Sequence, residues 1–415
     1  MNIYFSGIGG VGLGPLAEIA RDAGYTVIGS DLADSLTVQE LRATGIEIAI
    51  GQDGLFLEAC HEEVTIDWFI YTAALPADHP ELLLAKSLGI KTAKRDELLA
   101  HIIKEKNLKL IAVSGTHGKT TTTAMFVWTL QQLGVEVSYA IGSQIPFGPS
   151  GKYSPSSEYF VYECDEFDRN FLHFYPTLSL VTSLDYDHPD TYPTESSYTD
   201  AFRAFVDQSD SSIMWQVDGK RINATASDGW ILNNTDIAPV KIAGDHNRRN
   251  ATLICKAVEK LGITGDSIAA LDDFPGSIRR FEKLADNLYS DYGHHPVEIA
   301  ATLQMAREIN DHVVLVYQPH QNVRQHEIQD QYTDQFELAD DIYWLPTYLS
   351  RENPGLELLT PDYLIRNVTN KQSVHIADLD DVLWNSIQTH RQSGALVLCM
   401  GAGSIDSWVR ERSSV

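Results

Sequence analysis

The stretch from residue 108 to 133 constrains this chain most. An apolar run, L-K-L-I-A-V-S at 108–114, leads into G-T-H-G-K-T at 115–120, and a helical pattern follows from about 120 to 133. A glycine loop set between a strand and a helix lets backbone amides cradle phosphates, while a lysine reaches the β- and γ-phosphates and a hydroxyl holds Mg²⁺. Lys119 and Thr120 stand where those two roles fall. The spacing departs from G-x-x-x-x-G-K-[ST], because Val113 occupies the first glycine's place. The competing reading is a glycine turn that happens to contain a lysine. Strand, loop and helix in this order belong to parallel α/β sheets, whose ligands gather at the carboxyl ends of the strands.

The flanking sequence follows the same grammar. Residues 3–6, 26–30 and 68–71 read as strands, and 15–23 and 38–44 as helices,. G-I-G-G-V-G at 7–12 follows the first strand and Asp31 closes the second, which is the setting of a dinucleotide-binding fingerprint,. That loop alone suggests a nicotinamide-dependent oxidoreductase, or a tight turn with no ligand. Asp31 either accepts from a sugar hydroxyl or caps a helix. Further strands are expected at 159–163, 178–183, 313–318, 341–345 and 395–400, and helices at 198–208 and 247–261. The pattern restarts near 107 and again near 272. With 415 residues there is length for several cores,, so three α/β domains are expected, at 1–107, 108–271 and 272–415.

Two acidic segments end consecutive expected strands: E-C-D-E-F-D at 163–168 and D-Y-D-H-P-D at 185–190. Hard oxygens with one imidazole suit Mg²⁺ or Mn²⁺ bridging phosphates, although acidic loops are commonly just solvated turns. D-H-N-R-R-N at 245–250 precedes a helix, R-R-F-E at 279–282 precedes a strand, and D-Y-G-H-H-P at 291–296 opens another helix. Q-P-H-Q-N-V-R at 318–324 ends a strand. Each of these could be an ordinary cap or ion-pair cluster. His294 and His295 are adjacent, too close to imply a metal pair without a third ligand,.

Composition removes several classes of function. A formal net charge of -26 makes nucleic acid a poor partner, since binding a phosphate backbone draws heavily on Lys and Arg,. A single nucleotide needs only a local patch of amides and one or two cations. No apolar run approaches the roughly 20 residues of a membrane span, and no secretory leader is recognisable, so a cytoplasmic protein is expected. Cys60, Cys164, Cys255 and Cys399 are scattered without a C-x-x-C pair, which fits packing residues in a reducing compartment,.

Taken in order, the motifs resemble the Mur ligases of peptidoglycan synthesis across essentially the whole chain. The carriers are G-T-H-G-K-T-T-T from 115, the two acidic loops, H-N-x-x-N from 246 and R-R-F-E from 279. I-G-G-V-G from 8, D-Y-G-H-H-P from 291 and Q-P-H from 318 are similar to the branch that joins L-alanine to UDP-N-acetylmuramate. The resemblance implies an N-terminal Rossmann-like domain, a central P-loop ATPase-like domain and a C-terminal Rossmann-like α/β domain. It implies ATP and Mg²⁺ (or Mn²⁺) as cofactors, the UDP-sugar and L-alanine as substrates, and a monomer or homodimer.

Carried over residue by residue, the resemblance places Gly115, Thr116, His117, Gly118, Lys119, Thr120 and Thr121 at the ATP phosphates. Thr120, Glu163 and His188 surround the metal. His246, Asn247 and Asn250 flank adenine and ribose, with Arg280 and Asp291 reaching the nucleotide. Gly9, Gly10, Val11, Gly12, Asp31, Thr72 and Ala73 hold the UDP-sugar, and Tyr292, His294 and Arg324 line the amino-acid pocket. Lys119, Glu163, His188, His294 and Arg324 are the expected catalytic set. The chain also departs from the family pattern. Gln52 replaces a histidine usual after the glycine, Gly142-Ser143 replaces Gly-Gly, Cys164 replaces an alanine, and Gln325-His326 replaces Thr-Arg. A sister ligase attaching a recycled tripeptide to the same sugar, and a binding protein that has lost its catalysis, are the alternatives.

Overall fold

The computed structural model describes residues 1–72, 75–188, 191–225, 227–350 and 352–413. Contacts divide it into two compact units, Met1–Ile237 with Thr252–Phe274, and Ala238–Ala251 with Pro275–Val415. The first unit carries two sheets. Strands β1 (Asn2–Ser6), β2 (Thr26–Asp31), β3 (Glu47–Ile50), β4 (Trp68–Tyr71) and β5 (Lys91–Lys94) run parallel in the order β3-β2-β1-β4-β5.

The second sheet contains β6 (Lys109–Ser114), β7 (Val137–Ala140), β8 (Gly151–Lys152), β9 (Tyr159–Glu163), β10 (Leu178–Val181), β11 (Ser212–Trp215) and β12 (Gly229–Leu232). Its order is β12-β11-β10-β6-β9-β7-β8, and only the β7/β8 pair is antiparallel. Central strands β6 and β9 are buried on both faces, as expected where helices cover a parallel sheet,. One apolar cluster runs from Ile3 and Phe5 of the first sheet to Ala112 and Phe160 of the second, which is why both sheets fall in one unit.

The second unit holds β13 (Glu282–Ala285), β14 (Leu288–Asp291), β15 (Val313–Tyr317), β16 (Asp341–Trp344), β17 (Val374–Ile376) and β18 (Leu396–Met400). They are ordered β13-β14-β18-β15-β16-β17, with β13/β14 the antiparallel edge. The three sheets are the three α/β layers expected from the sequence.

Some elements differ from expectation at their ends. The helix expected from 198 begins earlier, spanning Glu195–Asp207. Thr194 caps it by accepting from the Ser197 amide at 3.1 Å, and its exposed first turn, E-S-S, adds nothing to the apolar period,. Strand β10 ends at Val181, two residues short of the expected end: the Thr182 amide still donates to the Ser114 carbonyl at 2.9 Å, but β6 stops at Ser114 as its chain turns into the phosphate loop. Strands β3, β5, β7, β11 and β12, four residues each, were not singled out from the sequence.

Candidate active site

Strand order assembles the phosphate loop. Strand β6 lies between β10 and β9, so the loop leaving its carboxyl end has the acidic segment after β9 on one side and the segment after β10 on the other. Gly115 (φ +136°) and Gly118 (φ +83°) adopt left-handed backbone. A Cβ on Gly115 would lie 2.8 Å from the Ser183 carbonyl oxygen. The helix Lys119–Gln132 starts without a side-chain cap, which leaves its first amides open to an anion,. Thr116 ties the loop down. Its hydroxyl donates to the Asp185 carbonyl at 2.7 Å, accepts from the Asp185 amide at 2.8 Å and lies 2.7 Å from the Tyr198 hydroxyl. Thr121, in the first turn, is half-buried.

Lys119 folds back on its own loop. Its ammonium donates to the Gly115 carbonyl at 2.6 Å and to Glu166 Oε2 at 2.7 Å, with Asp165 4.0 Å away. Burial would lower its pKa, but Glu166 and then Asp165 hold it above the ordinary lysine range. Glu166 is fully buried, and burial outweighs the pull of Lys119 and raises its carboxyl to about 7. Its Oε1 has no hydrogen-bond partner among the described residues and lies 3.8 Å from His188 Nε2. Sequence reading passed over this pairing.

Of the expected metal ligands, the fold brings two together: the Thr120 hydroxyl donates to Glu163 Oε1 at 2.8 Å. The other oxygen of Glu163 accepts from the Gly142 amide at 2.7 Å. His188 lies by Glu166 and Asp187, 3.8 Å from a carboxylate oxygen of each, and its φ is +57°. Among the described residues no group of three or more His, Cys, Asp and Glu is gathered as a metal site.

At the carboxyl edge of the first sheet, the Gly9 amide donates to Asp31 Oδ2 at 2.8 Å. Asp31 does not cap the following helix. Ser35 does, accepting from Val38 at 3.3 Å. A Cβ on Gly12 would meet the Arg95 guanidinium at 2.8 Å, and this arginine is another residue the sequence did not single out. Gly10 lies on the Gly7 carbonyl, Val11 is exposed, and Thr72 follows β4. Ala73 and Asp190 fall outside the described residues.

The second unit builds its own cluster by the same device, with β18 flanked by β14 and β15. Asp291 ends β14 buried, accepting from the Phe281 amide and the Gly293 amide, both at 2.7 Å. Burial raises its carboxyl to about 6 against the opposing charge of Arg280. The guanidinium carbons of Arg279 and Arg280 lie 4.7 and 5.2 Å from the Tyr292 ring centre. Arg324 Nη1 is 2.8 Å from His294 Nε2. A guanidinium only donates, so Nε2 accepts and Nδ1 carries the proton toward the Tyr292 carbonyl, 3.2 Å away,. Burial keeps this imidazole neutral, its pKa lowered with Glu298 opposing and Arg324 assisting.

His320, whose pKa burial lowers to about 4, stacks on Tyr348 at 5.7 Å and meets the His294 ring edge at 5.5 Å. At the head of the helix Asp245–Lys260, Asn250 is buried and His246, its pKa lowered by burial to about 4, is half-buried, while the Asn247 amide donates to the Ala243 carbonyl at 3.1 Å. The sequence reading also missed Gly403, where a Cβ would fall 2.6 Å from Tyr348. The string G-A-G-S at 401–404, directly after a strand, was its available signal.

A backbone signature marks these loops. Setting aside Asn107, Asn223 and Asn287, the left-handed non-glycine residues among the described ones are Asp168, Arg169, His188, Arg279, Phe281 and Gln321. All lie in or beside the segments that carry the candidate chemistry, where such strain tends to collect.

A phosphate loop flanked by acidic edges, a second glycine loop on its own parallel sheet and a third α/β layer define a class of nucleotide-using ligase. The chain belongs to the Mur ligase family: the family's catalytic domain matches residues 2–107, its middle domain 113–229 and its glutamate ligase domain 279–403. Within it, the chain is 33% identical over 98% of its length to the UDP-N-acetylmuramate–L-alanine ligase of Parvibaculum lavamentivorans, covering 91% of that protein. It is 31% identical over 98% of its length to the enzyme of the same name from Caldicellulosiruptor bescii, covering 97% of it. Among solved structures, UDP-N-acetylmuramate-alanine ligase MurC from Thermotoga maritima matches with a TM-score of 0.74 at 24% identity over 100% of both chains. A murein peptide ligase from Psychrobacter arcticus matches at 0.64, also with 24% identity, over 100% of this chain and 98% of that one. At such identities the structures speak to the fold alone.

Proposed function

We propose that this protein joins L-alanine to UDP-N-acetylmuramate at the expense of ATP, releasing ADP and phosphate in peptidoglycan precursor synthesis. The observation that carries the reading is the Lys119–Thr120 loop held between Glu163 and the Asp185–His188 loop, in a chain that matches relatives of that name over almost its full length. A carboxylate is a poor acyl donor because its oxygen leaves badly. ATP overcomes this by passing its γ-phosphoryl group to the lactyl carboxylate, so that the amine of alanine attacks an acyl phosphate and expels phosphate.

In that sequence the loop amides of residues 115–121 hold the phosphates, and Lys119 exchanges Glu166 for them and offsets charge on the transferring group. The hydroxyl of Thr120 and carboxylate of Glu163, 2.8 Å apart, are hard oxygen donors that fit Mg²⁺, with His188 as the proposed third ligand,. Bound there, the cation would neutralise charge on the phosphates. His246, Asn247, Asn250, Arg280 and Asp291 are assigned to the nucleotide. The first glycine loop, Asp31 and Thr72 are assigned to the UDP-sugar, and Tyr292, His294 and Arg324 to the amino acid. The neutral His294 leaves the Arg324 guanidinium as the cation for the amino-acid carboxylate.

Segments 1–107, 108–271 and 272–415 would divide these duties as UDP-sugar, ATP and amino-acid domains. No helix among the described residues is long and apolar enough to cross a membrane, and we place the reaction in the cytoplasm, carried out by a monomer or homodimer. The test is ADP release across UDP-N-acetylmuramate with L-alanine, glycine, L-serine or the tripeptide. Turnover with L-alanine is expected, and turnover confined to the tripeptide would assign the chain to the sister activity.

A further inference from the structure

In the second unit, three polar side chains with no solvent exposure, Gln325, Tyr332 and Tyr317, run between the main chains of two histidines. Gln325, on the helix Asn322–Ile328, donates from Nε2 to the His320 carbonyl at 3.0 Å, and its Oε1 accepts from the Tyr332 hydroxyl at 2.6 Å. Tyr317 ends β15, its hydroxyl 2.9 Å from that of Tyr332 and 3.1 Å from the His294 carbonyl oxygen. The rings of the same two histidines meet edge to face at 5.5 Å, and Arg324, next in the chain to Gln325, lies 2.8 Å from His294 Nε2.

The direction of each bond in this run follows from its donors. A carbonyl oxygen only accepts, so the Gln325 nitrogen faces His320 and its oxygen faces Tyr332. Tyr332 gives its one proton to Gln325, which leaves the Tyr317 proton to be shared between the Tyr332 oxygen and the His294 carbonyl in a three-centre bond. Burial raises both phenols above the ordinary tyrosine range, so both keep their protons. A connected buried network of this kind fixes one arrangement of the chain it joins, whereas apolar packing tolerates several. The chain departs from the family pattern at 325, where threonine is usual. A glutamine amide reaches further from its own main chain than a threonine hydroxyl, and here it meets His320 and Tyr332 at once.

We propose that Gln325 is a positioning residue for the incoming amino acid: it pins the His320 carbonyl directly and the His294 carbonyl through Tyr332 and Tyr317, and so fixes the two rings beside which Arg324 is set; the assignment rests on the amino-acid reading of His294 and Arg324 above. The turn into the helix needs such a brace. Gln321 there is left-handed (φ +59°), and the Gln325 main-chain amide donates to its carbonyl at 3.0 Å. Gln325 thus closes the strained turn with its backbone and holds it with its side chain. Lys119, Thr120 and Glu163 lie in the first unit, so loosening this run should weaken amino-acid binding and spare phosphoryl transfer.

Steady-state kinetics of the full chain with ATP, UDP-N-acetylmuramate and L-alanine test this. Gln325→Met keeps the bulk of the side chain and removes both polar groups. Its KM for L-alanine should rise about tenfold, the worth of one buried partner lost, while kcat and KM for ATP stay within about twofold. Tyr332→Phe cuts the same run at its middle and should raise the same KM several-fold. The double variant should be no worse than Gln325→Met alone, because both changes break one network. A fall in kcat with KM for L-alanine unchanged, a parallel rise in KM for ATP, unaltered kinetics, or losses that add in the double variant would each overturn the proposal. If Gln325→Met does not fold, Tyr332→Phe decides, and an unchanged KM for L-alanine sinks the idea. Turnover of the tripeptide alone by the unaltered protein would instead defeat the L-alanine reading; KM for the tripeptide then decides, the same rise upholding the role of Gln325 and its absence overturning it.

Discussion

On the proposed reading Lys119 serves two partners, the Glu166 carboxylate it holds in the free protein and phosphates during turnover. Replacing it with alanine should cut ADP release by about a hundred- to a thousand-fold, the scale of removing one preorganised charge-stabilising group. UDP-sugar binding, measured by calorimetry, should survive, which also separates an enzyme from a mere binding protein. Glu166→Gln keeps an acceptor for Lys119 but weakens the grip. It should cost the free protein about 1–3 kcal/mol in urea unfolding and tighten ATP binding several-fold. Unchanged or weaker ATP binding would show that Glu166 does not compete with the phosphates for Lys119. Lys119 was legible because its neighbours in sequence are its neighbours in space. Glu166 was not singled out as its partner, because that pairing depends on β9 lying beside β6, which no local pattern encodes.

Around the helix Lys119–Gln132 the same residue type serves two purposes. Gly115, leading into it, is left-handed and walled in by Ser183, whereas Gly134, just past it, is left-handed (φ +73°) with nothing within 4 Å. Gly134→Ala should therefore cost only about 1–2 kcal/mol of backbone strain and leave ATP binding unchanged. Gly115→Ala adds a clash and should abolish nucleotide binding as well as lower the melting temperature. Comparable losses from both substitutions would mean that the loop has slack the geometry does not suggest. Long apolar strands such as β6 and β15 were readable from pattern alone. The four-residue strands β3, β7 and β11 were not, since their identity comes from the neighbours they pair with.

Across the whole second unit, half-buried imidazoles set a pH response. His246 and His320 are pushed down to about 4 and His294 is also lowered, in each case first by burial. Between that value and the ordinary one near 6.5 the unfolded chain binds more protons than the folded one, so stability rises with pH and is lost as pH falls through the window. Asp291, raised to about 6, acts in the opposite sense, its contribution being lost as pH rises toward 6. With three groups against one, urea midpoints followed by tryptophan fluorescence, with Trp344 buried in this unit, should fall from pH 7 to pH 5. His246→Gln should flatten that decline, and a midpoint insensitive to pH would contradict the neutral assignment. The three-layer architecture was visible in the restarts of the βα pattern. The grouping of the first two sheets in one unit was not, because their shared core joins residues far apart in sequence.

The left-handed residues His188, Arg279, Phe281 and Gln321 carry a consequence for anyone seeking a hardier variant. Glycine or asparagine at such positions relieves backbone strain, so a search guided by melting temperature alone would be drawn to them. It would then gain heat tolerance by dismantling the loops that hold the candidate chemistry, and the gain would register in a thermal screen long before the loss registered in a growing cell wall.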